Sequence, residues 1–511
     1  MSSTIRPRRT GALVFGARVL SVFTGALFLV MITRSLSTSQ FGLWEVIADI
    51  AVFSSYPAGL LTYWATREVA RGRMVGKTTL TLNLLASVLG IGIFIAFALA
   101  SYSTIGASFA PFILAIILVP LTYWNQATTA LVSGYDPGIG AYSLVSSEVA
   151  KLLAAYPLLF IYRLNIMGVI LAISVSYFVL SGVSTILLRP VTKDKVDVSL
   201  GRKWLKDSAV PALNMLVYAV AVADTFVAAL GQHFTTLAGY YQAAAQVAII
   251  VGYASYLSVA LYPVLLRDRS ERLPSVMIDF TLLFAIPMAA GAIALSSKIL
   301  FLLSPKYVAS SLALVILCPY AVVAAVSTIL DQALMGRETI DLQARMSRSA
   351  LMKSDLVFVP VANLVYFALY LTAVYLIATQ AVGSAAVYNY VPYWAAAQLA
   401  CMIGLVVIKA RRLAGKVRLV LPPSLALYLL TGAAMGAVVY LVGYVALPSG
   451  IGSLDYGVRL LVMVAAGTVF YFGVLSMLDR KVRRLVRSVI GMLMRTEAPS
   501  APVAGSGSIT P

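Results

Sequence analysis

The residues able to do chemistry in this chain are few, and they stand inside long apolar runs. Arg18 is flanked by small and aliphatic residues; Glu45 and Asp49 are four apart, which sets both carboxylates on one face of a helix. Asp224 has no basic residue near it in sequence, whereas Glu148 and Lys151 lie one helical turn apart and can neutralise each other. Asp331 and Gln332 lie near the cytoplasmic end of another run, where partial hydration makes their presence cheap, and Asp279 and Asp355 fall near the starts of two more. A charge held away from water must have a partner or a wet cavity. Arg18 offers a planar, permanent charge suited to a phosphate or diphosphate, or else its long stem carries the charge out to a surface. Glu45 and Asp49 can accept hydrogen bonds from hydroxyl groups or take up a proton or cation; the structural alternative is an ion pair with Arg18. Asp224 can play the same part, its alternative being a hydrogen bond to helix backbone or to a tyrosine.

Enzymatic constellations are missing from the sequence. There is no phosphate-binding glycine loop, so ATP is not used directly. The one histidine, His233, lies in a short polar stretch, and Cys318 and Cys401 are far apart with no metal-binding spacing. No metal or cofactor is expected, and an enzyme is disfavoured.

The elements that hold these residues follow from composition. The 511 residues are 61% hydrophobic and 11% charged. Soluble domains carry about 25% charged residues, so most of this surface must face lipid. A span needs about 20 apolar residues. Runs of that kind occupy 11–33, 41–64, 79–101, 110–133, 142–162 and 166–188, and, after a polar crossover at 189–206, 207–231, 238–264, 276–298, 309–335, 355–378, 385–408, 424–447 and 456–478. The expected fold is an all-α integral membrane protein of about 14 transmembrane helices, with both termini on one side. Prolines within the runs, Pro57, Pro157, Pro287, Pro319 and Pro360 among them, permit bends.

Charge assigns the sides. On this reading 31 of the 38 Lys and Arg residues fall in the loops and tails on the N-terminal side, which makes that side cytoplasmic and the location the plasma membrane. The net charge of +19 then lies along a membrane rim, where anionic lipid headgroups are its partners and nucleic acid is not. Within 479–511, Val482, Leu485, Val486, Val489 and Leu493 alternate with basic residues at helical spacing, as expected of an interfacial helix, and a disordered tail follows.

A weak repeat runs through the chain. Phe41-Gly42-Leu43-Trp44-Glu45 opens the second run and Ala238-Gly239-Tyr240-Tyr241-Gln242 the eighth, so Glu45 aligns with Gln242 and Asp49 with Gln246. Sets of six spans related this way are parallel repeats about an axis along the membrane normal. The stretch Leu36-Ser37-Thr38-Ser39-Gln40-Phe41-Gly42-Leu43 resembles the turn after the first span in the polysaccharide and O-antigen flippases of the multidrug/oligosaccharidyl-lipid/polysaccharide exporter superfamily. Asp224 with 238–244, Leu261-Tyr262-Pro263-Val264-Leu265 and Val382-Gly383-Ser384-Ala385-Ala386 resemble three later segments of that family in the same order. The loop 134–141, without basic residues, and the long segment 336–355 depart from its pattern.

The resemblance implies two pseudo-symmetric six-helix lobes around a central cavity, 1–188 and 207–408, joined by the crossover, with two added helices in 409–478. It implies alternating access and a lipid-linked oligosaccharide or polysaccharide precursor as substrate. Arg18, Glu45, Asp49, Asp224, Gln242 and Gln246 are the candidate cavity residues, with Tyr218, Tyr240, Tyr241, Tyr253 and Tyr256 able to stack on sugars. A cation-coupled exporter of drugs or other small molecules is the second reading, favoured by the acidic set; a membrane scaffold without transport is the third.

Overall fold

A computed structural model describes residues 7–105, 108–208, 234–255, 273–335, 354–381, 386–417, 419–420, 422–447 and 453–495, with scattered positions between 209 and 233 that include Asp224. Among these residues every regular element is a helix. Lipid dictates this, since a helix satisfies its own backbone where no water can. Among the described residues eleven helices are long and apolar enough to cross a membrane, or twelve if one bent pair counts as a span. The expected seventh span, the end of the eighth, and the segments 261–265 and 382–385 lie wholly or mainly outside the described residues.

The first span is α1 (Pro7–Ser35). The second is the pair α2 (Thr38–Ser55) and α3 (Ala58–Ala70), bent by 56° where Pro57 interrupts the backbone ladder. A capping box starts α2: the Ser37 side chain accepts from the Gln40 N–H and the Gln40 side chain accepts from the Ser37 N–H. Then follow α4 (Gly76–Ile105), α5 (Ala110–Ala115) with α6 (Leu118–Tyr135), α7 (Pro137–Tyr156), which runs into a π-turn at Pro157–Ile161, and α8 (Asn165–Leu187). The expected loop 134–141 shrinks to Asp136, whose carboxylate accepts from the Gly138 N–H and caps α7 five residues before the run predicted for it. In the crossover, Asp194 accepts from the backbone N–H groups of Lys77 and Thr78 at the start of α4, and Asp197 caps α9 (Val198–Lys206).

Beyond the crossover lie α10 (Phe234–Gly252), α11 (Leu273–Ala294), α12 (Ser296–Leu303), α13 (Ser311–Met335), α14 (Asp355–Gln380), α15 (Val391–Ala414), α16 (Leu425–Ala446), α17 (Ser453–Leu478) and α18 (Arg480–Arg495). The helix α15 continues past 408, the boundary set from sequence, and carries Lys409 into the protein rather than into a loop. The helices up to α8 pack mainly on one another, as do α10 to α15. Helix α16 attaches along α11, where Gly432 and Gly436 let the backbone approach Ile286 and Ala290, and α17 packs mainly on α16. The basic helix α18 is held by the protein as well: Val482 is buried, Leu485 and Val486 are packed, and Lys481 pairs with Asp279, which also accepts from the Tyr428 hydroxyl at 3.0 Å.

Candidate functional site

The two sets of helices meet chiefly where α2 crosses α10, and the sequence repeat explains the crossing. A Cβ on Gly42 would lie 1.7 Å from the Thr235 carbonyl oxygen, and one on Gly239 would lie 2.2 Å from that of Thr38. Gly42 aligns with Gly239 and Thr38 with Thr235, so each glycine meets the repeat partner of the other's neighbour, the reciprocity of a two-fold contact. The hydroxyls of Ser39 and Thr235 are 2.8 Å apart beside it. Further bonds close the same end of the molecule. Thr33 donates to the Leu303 carbonyl at 3.1 Å, Arg34 to that of Leu302 at 3.0 Å, and Lys306 to that of Leu36. Tyr307 stands edge-on to both Phe41 and Tyr240. This is the end with few basic loops.

One turn along α2 from the glycine crossing, Glu45 is 8% exposed and shares a side-chain hydrogen bond with Gln246. Asp49, Gln242 and Gln246 are half-buried on the same two helices. The structure therefore brings Glu45, Asp49, Gln242 and Gln246 to one seam, as their spacing suggests, with Glu45 engaged across it. Arg18 stands elsewhere. It is exposed on α1 and makes no ion pair among the described residues, so the pairing with Asp49 weighed above is not seen.

Asp224 anchors a buried aromatic network in the second set of helices. The Tyr370 hydroxyl donates to it at 2.8 Å, and the Trp394 indole N–H donates to the Tyr370 hydroxyl at 2.8 Å. Tyr241 stacks on Trp394 with ring centres 4.1 Å apart and donates to the Gln398 side chain at 2.6 Å. The hydrogen bond to a tyrosine considered from sequence is thus present. Tyr366/Tyr370 and Trp394/Gln398, each at helical i,i+4 spacing, were the available signal for the rest. His233, Tyr218 and Tyr256 lie outside the described residues.

Ion pairs hold further acidic residues singled out in the sequence, among them buried Asp355, which meets Arg412 at 3.2 Å and Lys416 at 2.6 Å. Lys151 meets Glu148 at 2.7 Å as their spacing predicts, and Glu148 also accepts from Thr24 at 2.5 Å and Ser21 at 3.3 Å on α1. Lys409, fully buried, pairs with Asp331 at 2.7 Å and donates to Ser327 at 2.8 Å. Asp331 therefore depends on a partner rather than on hydration at a span end.

A cleft of about 560 Å³ opens between α3 and α6, lined by Thr62, Tyr63, Thr66, Asn125, Gln126 and Thr129 among others. Charge does not mark it; its signal in the sequence is the pair of amides, Asn125 and Gln126, inside an apolar run.

The chain shares its helical membrane fold with solved structures. It is similar to a solved structure described as lipid II flippase MurJ in an inward closed conformation: 91% of this chain and 99% of that one align, with a TM-score of 0.58 and 13% identity. It is also similar to a multidrug resistance MATE family transporter in an inward-facing conformation, over 77% of this chain and 95% of that one, with a TM-score of 0.52 and 12% identity. No protein-family model matches the sequence, and no curated protein matches it.

Proposed function

We propose that the chain is a flippase that carries a lipid-linked oligosaccharide or polysaccharide precursor across the plasma membrane by alternating access. Residues 1–188 and 207–408 form its two lobes, the basic loops and both termini face the cytoplasm, and 409–478 supplies two helices outside that core. The observation that carries this reading is the reciprocal α2–α10 seam. It closes the end with few charges, while Arg18, toward the opposite end of α1, is exposed and without an ion pair among the described residues. An outer gate shut over a permanent cation that is open to an anionic headgroup is what an inward state needs to receive a phosphate-bearing substrate. The likeness to a lipid II flippase over most of the chain supports a lipid-borne substrate.

Asp224 and its aromatic network supply a place for a coupling proton or cation, and the same network favours a second reading, a cation-coupled multidrug or small-molecule exporter. Reconstituted vesicles separate the two. A fluorescent lipid-linked oligosaccharide is followed in one assay and cation-driven dye efflux in the other. The flippase reading expects sugar-lipid movement that drops roughly 10- to 100-fold in Arg18→Ala, the loss of charge-assisted hydrogen bonds, and falls in Asp49→Asn at equal expression. Dye movement without sugar-lipid movement transfers the chain to the second reading.

A further inference from the structure

The cleft between α3 and α6 is lined more richly with polar groups than the joining of the two helices requires. Its walls carry hydroxyl and amide groups from Thr62, Tyr63 and Thr66 on one helix and Asn125, Thr129 and Ser133 on the other, and no lining residue is ionisable apart from the tyrosine. Part of this polarity joins the helices. Thr66 donates to the Ala130 carbonyl at 3.2 Å, Gln126 reaches Ser55 at 2.8 Å, and Gly134 lets α6 press against the Thr66 carbonyl. Thr129 and Ser133, by contrast, are exposed, although both lie within the membrane-length stretch Ala110–Tyr135. They stand in its last two turns, where the end of a span meets water.

The hydrogen-bonding pattern narrows what the water stands in for. Thr129 donates to the Asn125 side-chain oxygen at 3.1 Å and Ser133 to the Thr129 carbonyl at 2.8 Å, so the hydroxyl protons are used within α6. Hydroxyl oxygens remain as acceptors, and the Asn125 amide nitrogen, which has no protein partner among the described residues, remains as a donor. Interleaved donors and acceptors without charge match a neutral polyol, whose every hydroxyl both gives and takes a hydrogen bond. A cationic drug would call for carboxylates, and a bare phosphate for a lining arginine or lysine. Beside the cleft, the Arg67 guanidinium lies 4.4 Å over the Tyr63 ring, which places a cation next to the polyol surface without putting it inside.

We infer that the α3–α6 cleft is a carbohydrate subsite that holds an uncharged sugar unit of the substrate in the inward-open half of the cycle. The inference rests on the flippase reading and names the part of the substrate this wall receives.

The test uses the full chain in nanodiscs, with Cys318→Ala and Cys401→Ala removing the native thiols and Thr129→Cys adding one reporter. A charged, membrane-impermeant methanethiosulfonate reagent should modify this thiol. Lipid-linked oligosaccharides extracted from the native host's membranes should slow the modification at least about fivefold, whereas polyprenyl diphosphate without sugar should not. Asn125→Ala on this background should weaken the protection about fivefold to tenfold, the loss expected for one ligand hydrogen bond. An inert thiol would put the cleft against lipid and overturn the inference. Equal protection by the sugar-free lipid, or protection by neither, also overturns it, and both results leave the flippase reading to its own vesicle assay. Protection of the thiol in a protein that moves no sugar-lipid in vesicles would instead count against the flippase reading.

Discussion

At the scale of single residues, cost decides what can be read. Asp331, near the end of its span, reads from sequence as cheaply hydrated, and its partner is hidden because Lys409 sits among basic residues that look like a loop. Burial of Lys409 and its 2.7 Å contact make the pair interdependent. Lys409→Met should destabilise the protein by about 3–5 kcal/mol, because Asp331 is left buried without its cation, while Lys409→Met with Asp331→Leu should recover most of that loss. Thermal unfolding in detergent, read by tryptophan fluorescence, checks both; equal stability of the single variant and the parent would remove the pair from the structural account. The Asp224 network belongs to the same scale. Tyr370→Phe deletes the donor to Asp224 and should shift the pH dependence of transport while leaving expression unchanged, and a superimposable pH profile would exclude Asp224 from coupling.

At the scale of elements, the seam turns on two positions that cannot carry a side chain. A Cβ at Gly42 or Gly239 would fall well inside contact distance of carbonyl oxygens that belong to the facing helix backbone, so the helices must part. Gly42→Leu should therefore disfavour closure of this end. In a background free of native cysteines, Ser39→Cys with Thr235→Cys should form a disulfide readily, since the native hydroxyls are 2.8 Å apart, and the crosslink should arrest transport. Adding Gly42→Leu should reduce crosslinking severalfold by gel shift. Undiminished crosslinking would show that the backbone yields without opening. The glycines and the Pro57 bend were visible in sequence; that the two glycines face each other was suggested only by their alignment in the repeat.

At the scale of the whole molecule, sidedness and closure are linked. Among the described residues, the contacts between the two helix sets gather at the end with few basic loops. If the basic end is cytoplasmic, an impermeant maleimide added outside intact cells should label Tyr162→Cys, exposed on the opposite side, and should reach Lys193→Cys after permeabilisation. The reverse pattern would invert the direction of the proposed transport. The basic helix α18 bears on the same question, because its first turns pack on the protein through Val482 and its Lys481 is bound to Asp279. It is therefore part of the helical body.

Sequence by itself determined the class, most of the spans and the uneven distribution of positive charge. These depend on one-dimensional quantities, run length and composition, which lipid imposes locally on each helix. The tertiary structure decided partners: Lys409 for Asp331, Tyr370 for Asp224, Gln246 for Glu45, and the wall of α6 against which α3 sets its hydroxyls. Periodicity says which residues share a helix face, but which face meets which is settled by side-chain packing between helices distant in sequence, and no local pattern encodes that.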